Sequence, residues 1–193
     1  MLSEWLRKQT RGVVNGVAAV LAKSGVTPNQ LTVVGFLLIS SVGVLLARGM
    51  FREAGVLIIV TALFDALDGG LARYTNRVTP FGAFLDSTLD RYAEAALYGG
   101  LLWWYMQQGA HVEAMLVYAA IVGSIMVSYT RARAEGIGVE CKVGLFTRFE
   151  RIAVLVFALL FNLLTPALVV LAIFSNVTAL QRMWHVYRQA QTA

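Results

Sequence analysis

Asp65-Ala66-Leu67-Asp68-Gly69-Gly70-Leu71-Ala72-Arg73 is followed, after eight residues, by Gly82-Ala83-Phe84-Leu85-Asp86-Ser87-Thr88-Leu89-Asp90. An apolar run, Gly55 to Phe64, leads into the first block and is too short to cross a bilayer alone. It reaches membrane length only if the helix continues through Asp65 and Asp68, which places both acids inside a membrane helix near its C-terminal end. The second block opens the next apolar segment, which runs to about Met106, so Asp86 and Asp90 lie near a helix start. Residues three and four apart share a helix face, so each acid pair is aligned on its own helix.

Working outward, the chain is 58% hydrophobic and 14% charged over 193 residues, with mean hydropathy +0.67. A soluble domain carries about 25% charged residues, so the deficit argues for burial in lipid. Upstream, Thr27-Pro28-Asn29-Gln30 reads as a helix start, with Thr27 as cap, Pro28 at the first position and Gln30 completing a capping box. It leads into the apolar segment Leu31 to Ala47. Further segments cover about Ala114 to Thr130, Ile152 to Leu164 (starting as early as Leu145 if it is to span) and Ala167 to Trp184. Ahead of them, residues 1–25 carry Arg7, Lys8 and Arg11, with Trp5, Leu6, Val13, Val17 and Leu21 near one face. They read as an amphipathic interfacial helix rather than a cleaved signal.

The expectation is an all-α integral membrane protein. Six transmembrane helices over 28–190 follow the amphipathic helix, and 1–193 is a single membrane domain. With both termini cytoplasmic, that side receives Arg73, Arg77, Arg131, Arg133, Lys142, Arg148, Arg151, Arg182 and Arg188 besides the N-terminal cations. The other side receives only Arg48 and Arg52, as the positive-inside rule requires. This makes the protein multi-pass in the cell membrane, with its acids facing the cytoplasm. The net charge of +5 belongs to these loops. No nucleic-acid motif is present, and basic and aromatic residues are not interleaved. Cys141 is the single cysteine, so no intrachain disulfide forms.

Four carboxylates held close in low dielectric cannot all remain ionised unaided. A divalent cation resolves the conflict, and hard oxygen ligands suit Mg²⁺ or Mn²⁺. Four acids can hold two ions about 4 Å apart, an arrangement that clamps phosphoryl transfer. Gly69, Gly70 and Gly82 admit close approach, and Arg73 stands one turn from Gly69, placed for a phosphate. Two other readings stay open. The acids could pair with Arg73 and Arg91 as packing salt bridges, or serve an ion-coupled transporter. Intramembrane acids are costly and usually functional. Transporter sites lie near the midplane between repeats, whereas these acids sit near one end and no repeat is visible.

The pattern D-x2-D-G-x2-A-R-x8-G-x3-D-x3-D resembles the signature of the CDP-alcohol phosphatidyltransferase family, complete in residues and spacing. The resemblance implies dependence on Mg²⁺ or Mn²⁺ and release of CMP. By it, Asp65, Asp68 and Asp86 are metal ligands, and Asp90 is the general base with a role at the metal. Thr27, Pro28, Asn29, Gln30, Gly69, Arg73 and Thr79 would contact CDP-diacylglycerol. Ser128-Tyr129-Thr130-Arg131-Ala132-Arg133-Ala134-Glu135, Phe149-Glu150-Arg151 and the last helix are similar to segments of bacterial phosphatidylinositol-phosphate synthases. Arg131 stands where these have lysine, Thr147 where they have glutamate and Phe149 where they have proline. That likeness implies inositol 1-phosphate as acceptor, met by Ser128, Arg131, Arg133, Arg151 and Arg182, and a homodimer. Glycerol 3-phosphate or serine as acceptor, and an ether-lipid donor, remain alternatives. The third segment lacks the Leu-Asp-Pro-x-x-Asp-Lys form associated with the glycerol-phosphate branch. Trp103, Trp104 and Tyr105 read as an interfacial aromatic belt, and Gly99, Gly100 and Gly123 as helix contacts or a dimer face.

Overall fold

A computed structural model gives the architecture; it describes residues 16, 20, 22, 25–75 and 78–191, apart from the side chains at 63, 65, 66 and 68. The described chain is all-helical: α1 Pro28–Ala47, α2 Phe51–Tyr74, α3 Pro80–Gln107, α4 His111–Gly136, α5 Arg148–Phe161 and α6 Leu164–Ala190. The amphipathic helix expected over 1–25 falls largely outside the described residues.

The capping box at α1 forms as its sequence requires. The Thr27 amide donates to Gln30 Oε1 at 2.9 Å, and the Gln30 amide donates to Thr27 Oγ1 at 3.4 Å. Thr79 caps α3 in the same way, its hydroxyl accepting from the Gly82 amide at 3.0 Å with Pro80 in the first turn. Thr147 forms a capping box with Glu150 at the start of α5.

α5 starts at Arg148, between the expected start near Ile152 and the early limit at Leu145, and holds 14 residues, about 21 Å at ~1.5 Å per residue. That is short of the ~30 Å hydrocarbon layer. The chain before it is folded into the end of the bundle instead of extending the helix. Cys141 is buried, and the Phe146 amide donates to Thr178 Oγ1 of α6 at 3.1 Å. At its other end α5 stops on Asn162, in the left-handed region at φ 59°. Among the described residues, three helices are long and apolar enough to cross a membrane: α1, α4 and α6. α2 and α3 are as long, 24 and 28 residues, but carry the acids.

The tightly packed pairs are α4–α6, α1–α3, α1–α2, α3–α4, α2–α5 and α5–α6. Each helix therefore has two close neighbours, in the order α1, α3, α4, α6, α5, α2 around a ring. α2 and α3, consecutive in the chain, each lie against α1. Glycine makes the α1–α3 crossing possible. A Cβ on Gly43 would stand 2.5 Å from the Ala96 carbonyl oxygen, and one on Gly100 would run into Gly43. Gly123 does the same for α4 against Ser175 and Asn176 of α6, while Gly99 faces open space.

Short connections alternate the helix directions, so odd helices begin, and even helices end, at one end of the bundle. The main core occupies the opposite end. It draws on the last turns of α1 (Val42, Leu46), the first of α2 (Ala54, Ile58) and the start of α6 (Leu164, Leu168). Near the first end the second cluster centres on Leu31 and Leu71. The outer face is aliphatic and aromatic, with Leu37, Phe157 and Leu180 more than half exposed. In water such a surface is a liability; in lipid it is the solvated face.

Candidate active site

The alternation of helices gathers the polar residues of distant segments at the loosely packed end. The C-terminal half of α2 brings Asp65, Asp68 and Arg73, the first third of α3 brings Asp86 and Asp90, and the end of α4 brings Ser128, Arg131 and Arg133. The start of α5 adds Arg148 and Arg151, and α6 adds Arg182. The side chains of Asp65 and Asp68 lie outside the described residues; their backbone is helical and three positions apart in α2.

The seam between α1 and α3 has two sides. Outward lies an apolar groove of about 360 Å³ lined by Asn29, Gln30, Val33, Val34, Phe81 and Leu85. Inward lies a small polar crevice lined by Thr32, Phe36, Asp86, Leu89 and Asp90, and closed by Arg148. Above the seam the two helix starts touch. A Cβ on Gly82 would stand 3.1 Å from both Asn29 Oδ1 and Thr79 Oγ1, so only glycine leaves this notch open. On α2, the Arg73 guanidinium lies back over Gly69, with Nη1 3.3 Å from where a Cβ would stand.

Asp90 does not stand alone. Arg148 Nη1 approaches its Oδ1 to 2.7 Å, and Arg91 Nη1 lies 3.6 Å from Oδ2. The Arg91 guanidinium also donates to the Ser87 carbonyl. One turn deeper, Glu94 and Arg151 form a fully buried pair, 4% and 1% exposed, with Nε–Oε1 at 2.8 Å and Nη2–Oε2 at 2.9 Å. Arg151 Nη1 donates to the Phe146 carbonyl at 3.3 Å.

The arginines read as acceptor ligands separate into two kinds. Arg131 and Arg133 are exposed at the end of α4, with Arg131 Nε 2.8 Å from Glu135 Oε1. Ser128 is half-buried one turn earlier. Arg151 and Arg182 are buried and donate hydrogen bonds within the protein. Arg182 donates to the Val143 carbonyl at 2.9 Å and to the Val127 carbonyl, which ties the 137–147 connection to α4. Sequence reasoning overlooked Glu94 and the Asp90–Arg148 contact. Glu94 had a signal: it continues Asp86-x3-Asp90 by the same four-residue step. Arg148 was counted only as a topological charge.

The donors described here fit a hard divalent cation. Asp86 and Asp90 offer carboxylate oxygens from one face of α3, and the Thr32 hydroxyl lines the same crevice. A guanidinium already rests on Asp90 as a stand-in positive charge. Oxygen donors without thiolate or imidazole suit Mg²⁺ or Mn²⁺ over zinc.

An all-helical protein with membrane-length apolar helices, and a carboxylate crevice beside an apolar groove, defines a membrane enzyme acting where lipid and polar substrates meet. Residues 25–181 match the CDP-alcohol phosphatidyltransferase family, and the chain belongs to it. The archaetidylinositol phosphate synthase of Pyrococcus horikoshii is 37% identical over 99% of both chains. The phosphatidylinositol phosphate synthase of Streptomyces avermitilis is 35% identical over 100% of this chain and 85% of its own. Among solved structures, the phosphatidylinositol phosphate synthase of Mycobacterium tuberculosis with CDP-DAG bound superposes with a TM-score of 0.87 at 28% identity, covering 91% of this chain and 94% of that one. The same enzyme with manganese and citrate gives 0.86 at 29% identity, over 90% and 88%.

Proposed function

We propose that the enzyme transfers a phosphatidyl group from CDP-diacylglycerol to inositol 1-phosphate, releasing CMP. The observation that carries this reading is the two-sided α1–α3 seam, with a lipid-facing apolar groove outside and the Asp86–Asp90 crevice inside. A donor that never leaves the bilayer can lay an acyl chain in the groove while its pyrophosphate passes the notch at Asn29, Thr79 and Gly82. Both kinds of relative carry inositol phosphate in their names, which supports the acceptor.

In this reading Thr27 to Gln30, Gly69, Arg73 and Thr79 hold the donor. Asp65, Asp68, Asp86 and Asp90 would hold one or two Mg²⁺ or Mn²⁺ ions, and the manganese-bound relative supports this. Bound there, the cation supplies neutralisation of the pyrophosphate and of the departing CMP. Asp90 takes the proton of the acceptor hydroxyl. That oxygen bonds to the lipid-side phosphorus as the bond to CMP breaks. Arg131 and Arg133, with Ser128, meet the acceptor phosphate, since guanidinium binds phosphate dianions bidentately. Buried Arg151 and Arg182 add their charge from behind. Placement does most of the catalytic work.

The same reading takes the whole chain as one domain whose six helices lie in the membrane, α5 reaching only part of the way across, with its active site facing the cytoplasm. It also takes the enzyme as a homodimer, which crosslinking in native membranes tests. The test of function is CMP release by purified protein given Mg²⁺, CDP-diacylglycerol and, in turn, inositol 1-phosphate, glycerol 3-phosphate and serine. Release with inositol 1-phosphate alone is expected; release only with another acceptor overturns the assignment. The archaeal relative favours a second reading of the donor, a CDP-activated ether lipid. The same assay run with both donors decides it.

A further inference from the structure

α3 and α5 are joined by a two-rung ladder. Asp90 and Glu94 lie four apart on α3, Arg148 and Arg151 three apart on α5, so each pair shares a face. The deep rung, Glu94–Arg151, is closed to solvent at 4% and 1% exposure. The outer rung, Asp90–Arg148, is 20% and 35% exposed and borders the crevice that Asp86 and Thr32 also line. The two rungs differ in what can replace a partner. Removing either member of the deep rung strands a charge in the protein interior, which is strongly destabilising. The outer rung is a partly solvated ion pair of modest strength, and another cation can reach its carboxylate.

We propose that Arg148 is a placeholder for the divalent cation: it neutralises and orients Asp90 before the cation binds, then yields the carboxylate to it. The proposal rests on the metal reading above. The deep rung makes the arrangement workable. Arg151 is anchored one turn along α5, so the helix start keeps its register and the Arg148 stem keeps its place while the guanidinium exchanges. Asp90 is thus held in its working rotamer without paying the cost of an unpaired carboxylate. The consequence is competition, in which Arg148 lowers the affinity for the cation that displaces it.

The test is titration of Mn²⁺ alone, without lipid donor or acceptor, into the full chain in detergent micelles, with free Mn²⁺ read by electron paramagnetic resonance. Arg148→Gln is expected to bind Mn²⁺ about fivefold more tightly than the unaltered protein, the scale of a partly exposed ion pair. Arg91→Gln removes the same charge beside the same carboxylate, but from 3.6 Å, and is expected to change affinity less than about twofold. A merely structural role for Arg148 predicts the opposite direction, because a disturbed site binds metal more weakly. Unchanged or weaker Mn²⁺ binding in Arg148→Gln overturns the proposal. Equal tightening in Arg91→Gln does so too, since it assigns the effect to net charge. If Arg148→Gln does not fold, Arg148→Met, which keeps the aliphatic stem, is measured with the same expectation. Absence of Mn²⁺ binding by the unaltered protein sinks the metal reading and the placeholder together. Binding without an Arg148 effect sinks the placeholder alone.

Discussion

Replacing Glu94 by glutamine probes the part of the bundle on which the site leans. The change keeps the side chain's shape but removes the charge that balances Arg151. The Arg151 guanidinium, 1% exposed, is held by contacts of 2.8 and 2.9 Å to the two Glu94 oxygens. Its remaining acceptor is the Phe146 carbonyl at 3.3 Å. Breaking a buried pair by removing one member costs about 3–5 kcal/mol, because the stranded charge stays desolvated. For a chain of this length each kcal/mol moves the midpoint by about 2–4 °C, so Glu94→Gln should lower Tm by about 6–20 °C. The assay is thermal unfolding in one detergent, followed by tryptophan fluorescence. Replacing both partners, Glu94→Met with Arg151→Met, removes the stranded charge and should recover most of the loss, to within about 1–2 kcal/mol. A Glu94→Gln shift below about 2 °C, or a double variant as unstable as the summed single changes, would refute the reasoning.

Four further outcomes follow from the structure. Gly43→Ala should cost about 1–3 kcal/mol, because its methyl stands 2.5 Å from the Ala96 carbonyl oxygen and α1 must move off α3; the same melting assay reads it. Asp90→Asn should lower CMP release by at least about 100-fold, the scale of general-base catalysis, while CDP-lipid binding by filter assay is retained; normal turnover would remove Asp90 from the base role. Arg133→Ala should raise KM for inositol 1-phosphate by about tenfold, one charge-assisted phosphate contact, with little change in KM for the lipid. Chelation with EDTA should abolish CMP release, and added Mn²⁺ or Mg²⁺ should restore it; activity that survives chelation excludes the metal role.

The alignment of the candidate acids on helix faces was legible in the sequence because it depends on local spacing. Three- and four-residue steps put Asp65 with Asp68, and Asp86 with Asp90, on single helix faces in any helical context. Thr27-Pro28-Asn29-Gln30 made its capping box because that bond pattern closes within one turn. The alternation of the helices then carried the acids of α2 and α3 and the arginines of α4, α5 and α6 to one end.

Which side chain meets which was decided by the tertiary structure. Arg148 and Arg151 are three residues apart and look alike in the sequence. Yet one faces a solvated crevice and the other is sealed against Glu94. An arginine reaches far enough to pair with several acids, and only the ring order, with α2 and α3 both set against α1, selects the partner. The length of α5 was likewise a tertiary outcome. The chain before it is drawn in by Arg182 and Thr178 of α6, contacts that no local pattern encodes. The acids that opened the reading are paired on their helix faces by local spacing alone. The packing of α3 against the rest of the ring determines that Asp90 is held by Arg148, because that contact joins residues 58 positions apart in the chain.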